Sequence, residues 1–411
     1  MPDNANIEKT QTPENKPKKM FGKLRIAICL LIAIIAGSYL VFVFAPIPFV
    51  RKWRNIYIET AMSTNSHQWL ATAFIPGFII DEVMDAIEEQ QANQAALEST
   101  WEEEQKEEEA KAKAEAEAAE EEQEKVKDFF ETYWEINSDN VQNYLTENSI
   151  DTSDELYALT VEDLNGELGL TTTEGDTILA INVPNSLVLL QVNGADYVGK
   201  LAIVKDPSLI CMGKATNLGS RGDIIDTFGE NYDALLAINA SGFKDADGHG
   251  SGGQIKGSLV IDGVEYASSR SSYKFFGMKY DNLFYISNPE NVDVTEYRWG
   301  MQFFPALIVD GECVVSGTYG LGIQPRTAVG QTKDGSFLML IVDGRQVGYS
   351  LGCTMEECAN QLIKYGVYQA ANFDGGSSSI MWYNGEQITK SSSPSGFGRY
   401  LPNALYLKKA D

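Results

Sequence analysis

Histidine is nearly missing from this chain: in 411 residues only His67 and His249 occur. That excludes a His-rich metal centre and leaves little basis for Ser-His-Asp chemistry. Positive charge is also scarce, with 32 Lys and Arg against 58 Asp and Glu and a formal net charge of −26. So acidic a chain repels nucleic acid and anionic lipid except at local basic patches, and no general nucleic-acid role is expected. There is no G-x-S-x-G elbow, no Walker A loop and no G-x-G-x-x-G after a strand pattern, so the usual signatures of those chemistries are absent. The five cysteines show no zinc spacing; Cys353 and Cys358 are close enough in sequence to pair if the compartment is oxidising.

What the chain does have begins with an apolar run, Leu24 to Phe44, about 30 Å long as a helix and enough to cross a bilayer. A cleaved signal peptide would have a shorter apolar core and end at a small-x-small site. Lys16, Lys18, Lys19 and Lys23 precede the run, Arg25 stands at its start, and Arg51, Lys52 and Arg54 follow it. This charge bias favours an uncleaved single-pass signal anchor over 24–45, with residues 1–23 cytoplasmic and the rest extracellular. The segment 46–84 is juxtamembrane; within it Trp69 to Ile80 is apolar but short and interrupted by Pro76 and Gly77. Residues 85–127 are dominated by Glu, Ala, Gln and Lys, with pairs such as Glu102–Lys106 at helical spacing. They read as an acidic helical stalk without a sustained coiled-coil seam, and the same composition fits a disordered linker.

A small helical region, 128–169, leads to a domain over 170–411 rich in strand–turn–strand patterns. Examples are the runs from Ile178 and Ser186, Asn193-Gly194 as a hairpin turn, and Ala306-Leu-Ile-Val-Asp-Gly. Two helices are expected, about 222–232 and 354–365, the second with Thr354 and Glu357 as a capping box. The fold class is α+β with a mixed, largely antiparallel sheet.

Four clusters carry candidate chemistry, each at the end of an apparent strand. Asn372-Phe-Asp374-Gly375-Gly376-Ser377-Ser378-Ser379 sets one carboxylate in a loop of glycines and serines. Such a loop turns backbone N–H groups and hydroxyls toward an anion, a sugar or a metal-bridged substrate, or simply makes a tight turn. Asn239-Ala-Ser241-Gly-Phe leads to a loop with Asp245, Asp247 and His249. That loop has a faint likeness to a calcium loop but lacks the distal Glu, so calcium stands only as a candidate cofactor. Pro325-Arg326-Thr-Ala-Val-Gly offers a guanidinium fork, for a ligand or as a bridge between loops. Asp343 in Val342-Asp-Gly-Arg345 ends an apolar run, as a site residue or a turn aspartate, and Arg399 with Asn403 precedes the last strand.

These motifs, in this order, resemble the phosphodiester glycosidase family, whose members include phosphodiester α-N-acetylglucosaminidases and bacterial proteins of exopolysaccharide metabolism. The resemblance spans about 195–409, and the N-terminal anchor and His67-Gln-Trp-Leu-Ala-Thr match the bacterial branch. Two departures stand out: Ser377 replaces the family's third loop glycine, and Met301-Gln-Phe-Phe-Pro305 replaces a more usual Phe-Gly-Pro. The resemblance implies hydrolysis of a sugar-1-phosphodiester on a cell-surface or exopolysaccharide substrate. It suggests Asp374 first and Asp343 second as the carboxylate, and Arg326 with Arg399 as the phosphate clamp. Gly375, Gly376 and Ser378 shape the pocket, Ser241 lines it, and Asn239 and Asn403 bond sugar hydroxyls. The competing reading is a non-catalytic envelope protein that binds polysaccharide in the same pocket.

Overall fold

The computed structural model describes residues 18–63, 68–94, 97–99, 125–149, 156–245, 250–268 and 272–410. Both histidines, Asp247 and the whole acidic stretch 100–124 lie outside the described residues. The chain divides into two units, residues 1–57 and 58–411.

The first unit is built around helix Lys18–Phe44. It ends where Pro46 disfavours helical backbone at Ala45, and Pro48 opens the next helix, Pro48–Met62, at a position suited to its fixed φ. Arg54 Nη1 donates to Val43 O at 2.7 Å, satisfying a carbonyl of the last turn. Among the described residues no single helix is long and apolar enough to cross a membrane. The single span expected over 24–45 is therefore not found as such. A bent pair, Ile28–Phe44 with Pro48–Met62 at 86°, meets the length and composition together.

The second unit contains a nine-stranded sheet. In spatial order it comprises Thr160–Glu162, Thr177–Asn182, Leu187–Asn193, Val198–Val204, Phe337–Val342, Arg326–Thr332, Val367–Asn372, Ala306–Val309 and Glu312–Cys313. All its pairings are antiparallel. Its central strands are buried on both faces, so Phe337-Leu-Met-Leu-Ile-Val reads as a continuous apolar run instead of alternating. Leu338, Leu340 and Val342 face one core with helices Lys125–Thr132, Ser138–Glu147 and Met355–Ile363. Met339 and Ile341 face a second core shared with two five-stranded sheets. One of these orders Glu386–Gln387, Met381–Tyr383, Ala234–Asn239, Asn403–Lys408 and Ile210–Lys214. The other orders Phe284–Ser287, Lys274–Lys279, Tyr297–Phe303, Leu259–Ile261 and Val264–Ala267.

The α+β class with largely antiparallel sheet is what the turn-and-strand pattern implied, and the Thr354–Glu357 capping box is present. Two boundaries differ. The helical region does not stand apart: Phe129, Tyr133 and Val141 join the core of the large sheet, and Thr160–Glu162 is its edge strand. Residues 85–93, assigned by composition to the stalk, are the second half of helix Gly77–Asn93, which buries Ile79, Ile80, Val83 and Ile87. Composition scores charge, and here a narrow apolar stripe decides. At the helix end Gln94 Nε2 donates to Ala306 O (3.3 Å) and Val314 O (3.0 Å), and its Oε1 accepts from Ala306 N (3.2 Å). Gln94→Ala strands these buried backbone groups and is expected to cost about 2–3 kcal/mol. Hydrogen exchange should show faster opening of helix Gly77–Asn93, with the Phe337–Val342 strand unchanged.

Candidate active site

Antiparallel pairing brings three of the four motif clusters to one sheet end. Arg326 pairs with Val342 and Ala328 with Asn372. The strand carrying Arg326 therefore begins where the strands leading to Asp343 and Asp374 stop. The fourth cluster arrives from the neighbouring sheet, where Ala404 pairs with Asn239. The two sheets meet at the Asp374 loop: Phe373 N donates to Thr327 O (2.8 Å) and Asp374 N to Ala240 O (3.0 Å).

Asn239 fastens this junction. Its Nδ2 donates to Asp374 O at 2.6 Å, and its Oδ1 accepts from Thr327 Oγ1 (2.9 Å) and Ile380 N (3.1 Å). The residue is fully buried. Asn403 is equally buried, its Oδ1 accepting from Ser241 N at 2.9 Å and its Nδ2 directed at Met212 Sδ. Ser241 turns its hydroxyl to Met301 Sδ at 3.2 Å. All three residues, expected at a ligand, instead spend these polar groups on internal contacts, and Asn239 holds the Asp374 loop itself.

The loop itself needs its glycines. Gly376 has φ +63°, a conformation that other residues rarely adopt, and a Cβ there would lie 3.1 Å from Arg345 Nη2. Gly376 N donates to Pro325 O at 2.9 Å, tying the loop to the neighbouring strand. Asp374 is partly exposed at this recess. Burial of its carboxyl pushes its pKa up to about 7, against the opposing pull of the Ser378 hydrogen bond, Arg399 and Lys256; Asp245 adds to the rise.

Arg399 reaches into the same recess. Its Nη1 donates to Ser377 Oγ at 3.2 Å, its Nη2 pairs with Asp245 Oδ2 at 2.9 Å, and its guanidinium lies 5.1 Å from the Phe243 ring centroid. Ser377, the departure from the family's third glycine, has no positive φ and uses its hydroxyl on this cation. Asp245 Oδ1 also accepts from Gly250 N. Among the described residues no group of three acidic, His or Cys side chains could hold a metal ion.

Arg326 sits elsewhere. It is 4% exposed, and its guanidinium donates to the carbonyls of Cys353 (3.2 Å), Leu321 (3.1 Å) and Gly322 (2.5 Å). It bridges loops, the plainer of its two readings. Cys353 and Cys358 are both buried free thiols. Asp343 also has its oxygens engaged, Oδ2 by Tyr349 OH (2.9 Å) and Oδ1 by Lys390 N (3.0 Å). Burial raises its pKa to about 6, opposed by those bonds and by Lys200 and Lys390. One intervening strand separates it from Asp374, a backbone offset of about 10 Å. The two carboxylates therefore answer to different charges. Sequence reasoning passed over Lys256 and Arg345 as cations of the recess; the Asp-Gly-Arg spacing was the only available signal for the latter.

The fold and site define an α+β domain with one near-neutral carboxyl in a Gly-Ser loop flanked by cations. Residues 232–408 match the family model described as phosphodiester glycosidase. No curated protein matches the chain in sequence. Among solved structures, the zebrafish N-acetylglucosamine-1-phosphodiester alpha-N-acetylglucosaminidase catalytic domain, auto-inhibited by its pro-peptide, is 20% identical with a TM-score of 0.45, covering 53% of this chain and 81% of that one. A hypothetical protein from Synechocystis is 14% identical with a TM-score of 0.40, covering 56% and 63% respectively. A Burkholderia pseudomallei protein is 14% identical with a TM-score of 0.38, covering 51% and 74%.

Two outcomes follow. Asn239→Ala orphans Thr327 Oγ1, Ile380 N and Asp374 O, and is expected to cost about 3 kcal/mol or more in denaturant unfolding. Asp374 has a folded pKa above its unfolded one, so its burial costs nothing below about pH 4 and progressively more as pH rises through 7. Asp374→Asn should therefore match wild-type stability at pH 4 and exceed it by about 2 kcal/mol at pH 8, after allowance for the partial solvent access. Equal stability at pH 8 would show that the carboxyl is not raised.

Proposed function

We propose that the chain is a phosphodiester glycosidase that hydrolyses the bond between C1 of an N-acetylglucosamine-like sugar and a phosphate oxygen. The observation that carries this reading is the family match over 232–408 together with the Asp374 loop, whose Ser377 Oγ accepts from Arg399 Nη1 at 3.2 Å. A phosphate monoester leaves more readily than an alcohol, so protonation of the leaving group matters less than in ordinary glycosides. The C1–O bond breaks and its electron pair stays on the phosphate oxygen, where Arg399 and Lys256 hold the charge. Water adds to C1 and passes its proton to ionised Asp374, whose charge also steadies the cationic sugar ring. Free sugar and a phosphate monoester result. Arg345, against Gly376, supplies a third cation to the loop. Arg326 and Asp343 are left to the scaffold, because both are buried and bonded to neighbouring loops.

The bent N-terminal pair serves in this reading as a membrane anchor with the domain outside the cell, acting on surface or exopolysaccharide polymers. The apolar arm Ile28–Phe44 enters the bilayer, and the arm Pro48–Met62, with Arg51, Lys52 and Trp53, lies along the interface. A divalent cation held at Asp245 would make the activity below sensitive to chelator.

The test is release of free sugar by the full-length protein in detergent from a chromogenic or UDP-linked N-acetylglucosamine phosphodiester, with and without chelator. Asp374→Asn should lower kcat about 10³-fold and remove a rise in kcat/KM with pH centred near 7. Arg399→Ala should lower kcat/KM about 10²-fold. Full activity in Asp374→Asn would overturn the assignment. A folded wild type that binds the substrate without releasing sugar would favour the non-catalytic polysaccharide-binding reading.

A further inference from the structure

Helix Gly77–Asn93 and the segment after it lie outside residues 232–408, yet they are latched to that domain. Gln90 Nε2 donates to Ser316 Oγ at 2.8 Å, and Gln94 grips Ala306 and Val314. Further on, Ser99 N donates to Ile286 O (3.1 Å), and Glu98 Oε1 accepts from Asn288 N (3.2 Å) and Asn291 Nδ2 (3.0 Å).

Between this latch and the domain is a cavity of about 770 Å³ whose walls include Gln91, Tyr273, Lys274, Asn288, Phe304 and Leu321. The size is that of a small-ligand site. The Tyr273 and Phe304 rings stand 4.5 Å apart at 31°, forming an aromatic surface. Around it stand the amides of Gln91 and Asn288. Lys274 is not a concentrated anion trap, because its Nζ donates to Leu97 O and Asn288 Oδ1 and Glu290 also lines the cavity. A pyranose has this same division, an apolar C–H face for a ring and a belt of hydroxyls for amides.

The floor is also the back of the reaction site. Phe304 O and Pro305 O accept from Asn372 Nδ2 (2.8 Å) and N (3.0 Å), two residues before Asp374, and Leu321 O accepts from Arg326. We propose that this cavity is a second glycan-binding subsite, taking a neutral pyranose unit of the polymer whose sugar-phosphate bond is cut at the Asp374 loop. The identity of that polymer rests on the glycosidase reading; the subsite itself rests on the cavity. Because the latch completes it, the subsite belongs to this chain's additions to the family domain. A second contact on one polymer raises the effective concentration of the reacting bond.

The experiment titrates N,N′-diacetylchitobiose into the full-length protein by calorimetry, with saturation-transfer NMR on the sugar protons. Wild type and Asp374→Asn should bind alike. Tyr273→Ala and Gln91→Ala should each weaken binding about tenfold or more, while sugar release from the small UDP-linked substrate stays within about twofold of wild type. If Tyr273→Ala fails to fold, Gln91→Ala decides. No binding to wild type, or binding unchanged by both cavity substitutions, overturns the proposal. Binding lost in Arg399→Ala but kept in the cavity variants also overturns it, by placing the sugar at the Asp374 loop. Binding that follows the cavity variants in a protein releasing no sugar leaves the subsite standing and removes the hydrolase reading.

Discussion

The side-chain amide of Asn239 is where the two sheets and the Asp374 loop are joined. One carboxamide donates to Asp374 O and accepts from Thr327 Oγ1 and Ile380 N, away from water. In a buried setting each of these groups would otherwise be an unpaired polar atom, so the arrangement tolerates little variation. The carboxyl of Asp374 inherits its position from that knot. With Phe373 N on Thr327 O and Gly376 N on Pro325 O, the loop is fixed on both sides. Only its side chains remain to meet a ligand.

That rigidity makes the electrostatics informative. Desolvation of the carboxyl raises the pKa of both Asp374 and Asp343, but they are not a pair. Asp374 feels Arg399, Lys256 and Asp245; Asp343 feels Lys200 and Lys390. The second carboxylate near Asp374 is Asp245, whose Oδ2 is paired with Arg399 Nη2 at 2.9 Å. One carboxyl with cations beside it fits a reaction whose leaving group is already a stable anion. Ser377 adds to this by holding Arg399, which turns a departure from the family pattern into a contact within the recess.

The tight fit of the loops around Arg399 has a similar origin. Gly252 has φ +71°, and a Cβ there would fall 1.9 Å from Tyr400 O. Asp223 and Leu401 exchange backbone hydrogen bonds at 2.8 and 2.9 Å. Arg221 stacks 4.2 Å from the Tyr400 ring centroid. The cation is thus delivered by a segment gripped on three sides, and its reach is set by backbone packing.

Period-two patterns, turn dipeptides and the capping box are local physics, so the α+β class, the Asn193-Gly194 turn and helix Met355–Ile363 could be read from the residues. The motif order was also legible, as was the loop that holds Asp374. Roles were not. Asn239, Asn403 and Arg326 have the side chains of ligand-binding residues, and only their partners show that they brace backbone. Lys256 carries no distinctive local signal and Arg345 only its place in Asp343-Gly-Arg; their proximity to the loop is a consequence of how distant strands pair. The second half of helix Gly77–Asn93 was hidden by its charge, because it buries Ile87 alone and is fastened at its end by Gln94. Local sequence determined which elements form and which side chains could do chemistry. Tertiary structure alone decided which of those side chains kept a free hydrogen-bonding face, because a donor engaged by a neighbour distant in sequence has nothing left for a substrate.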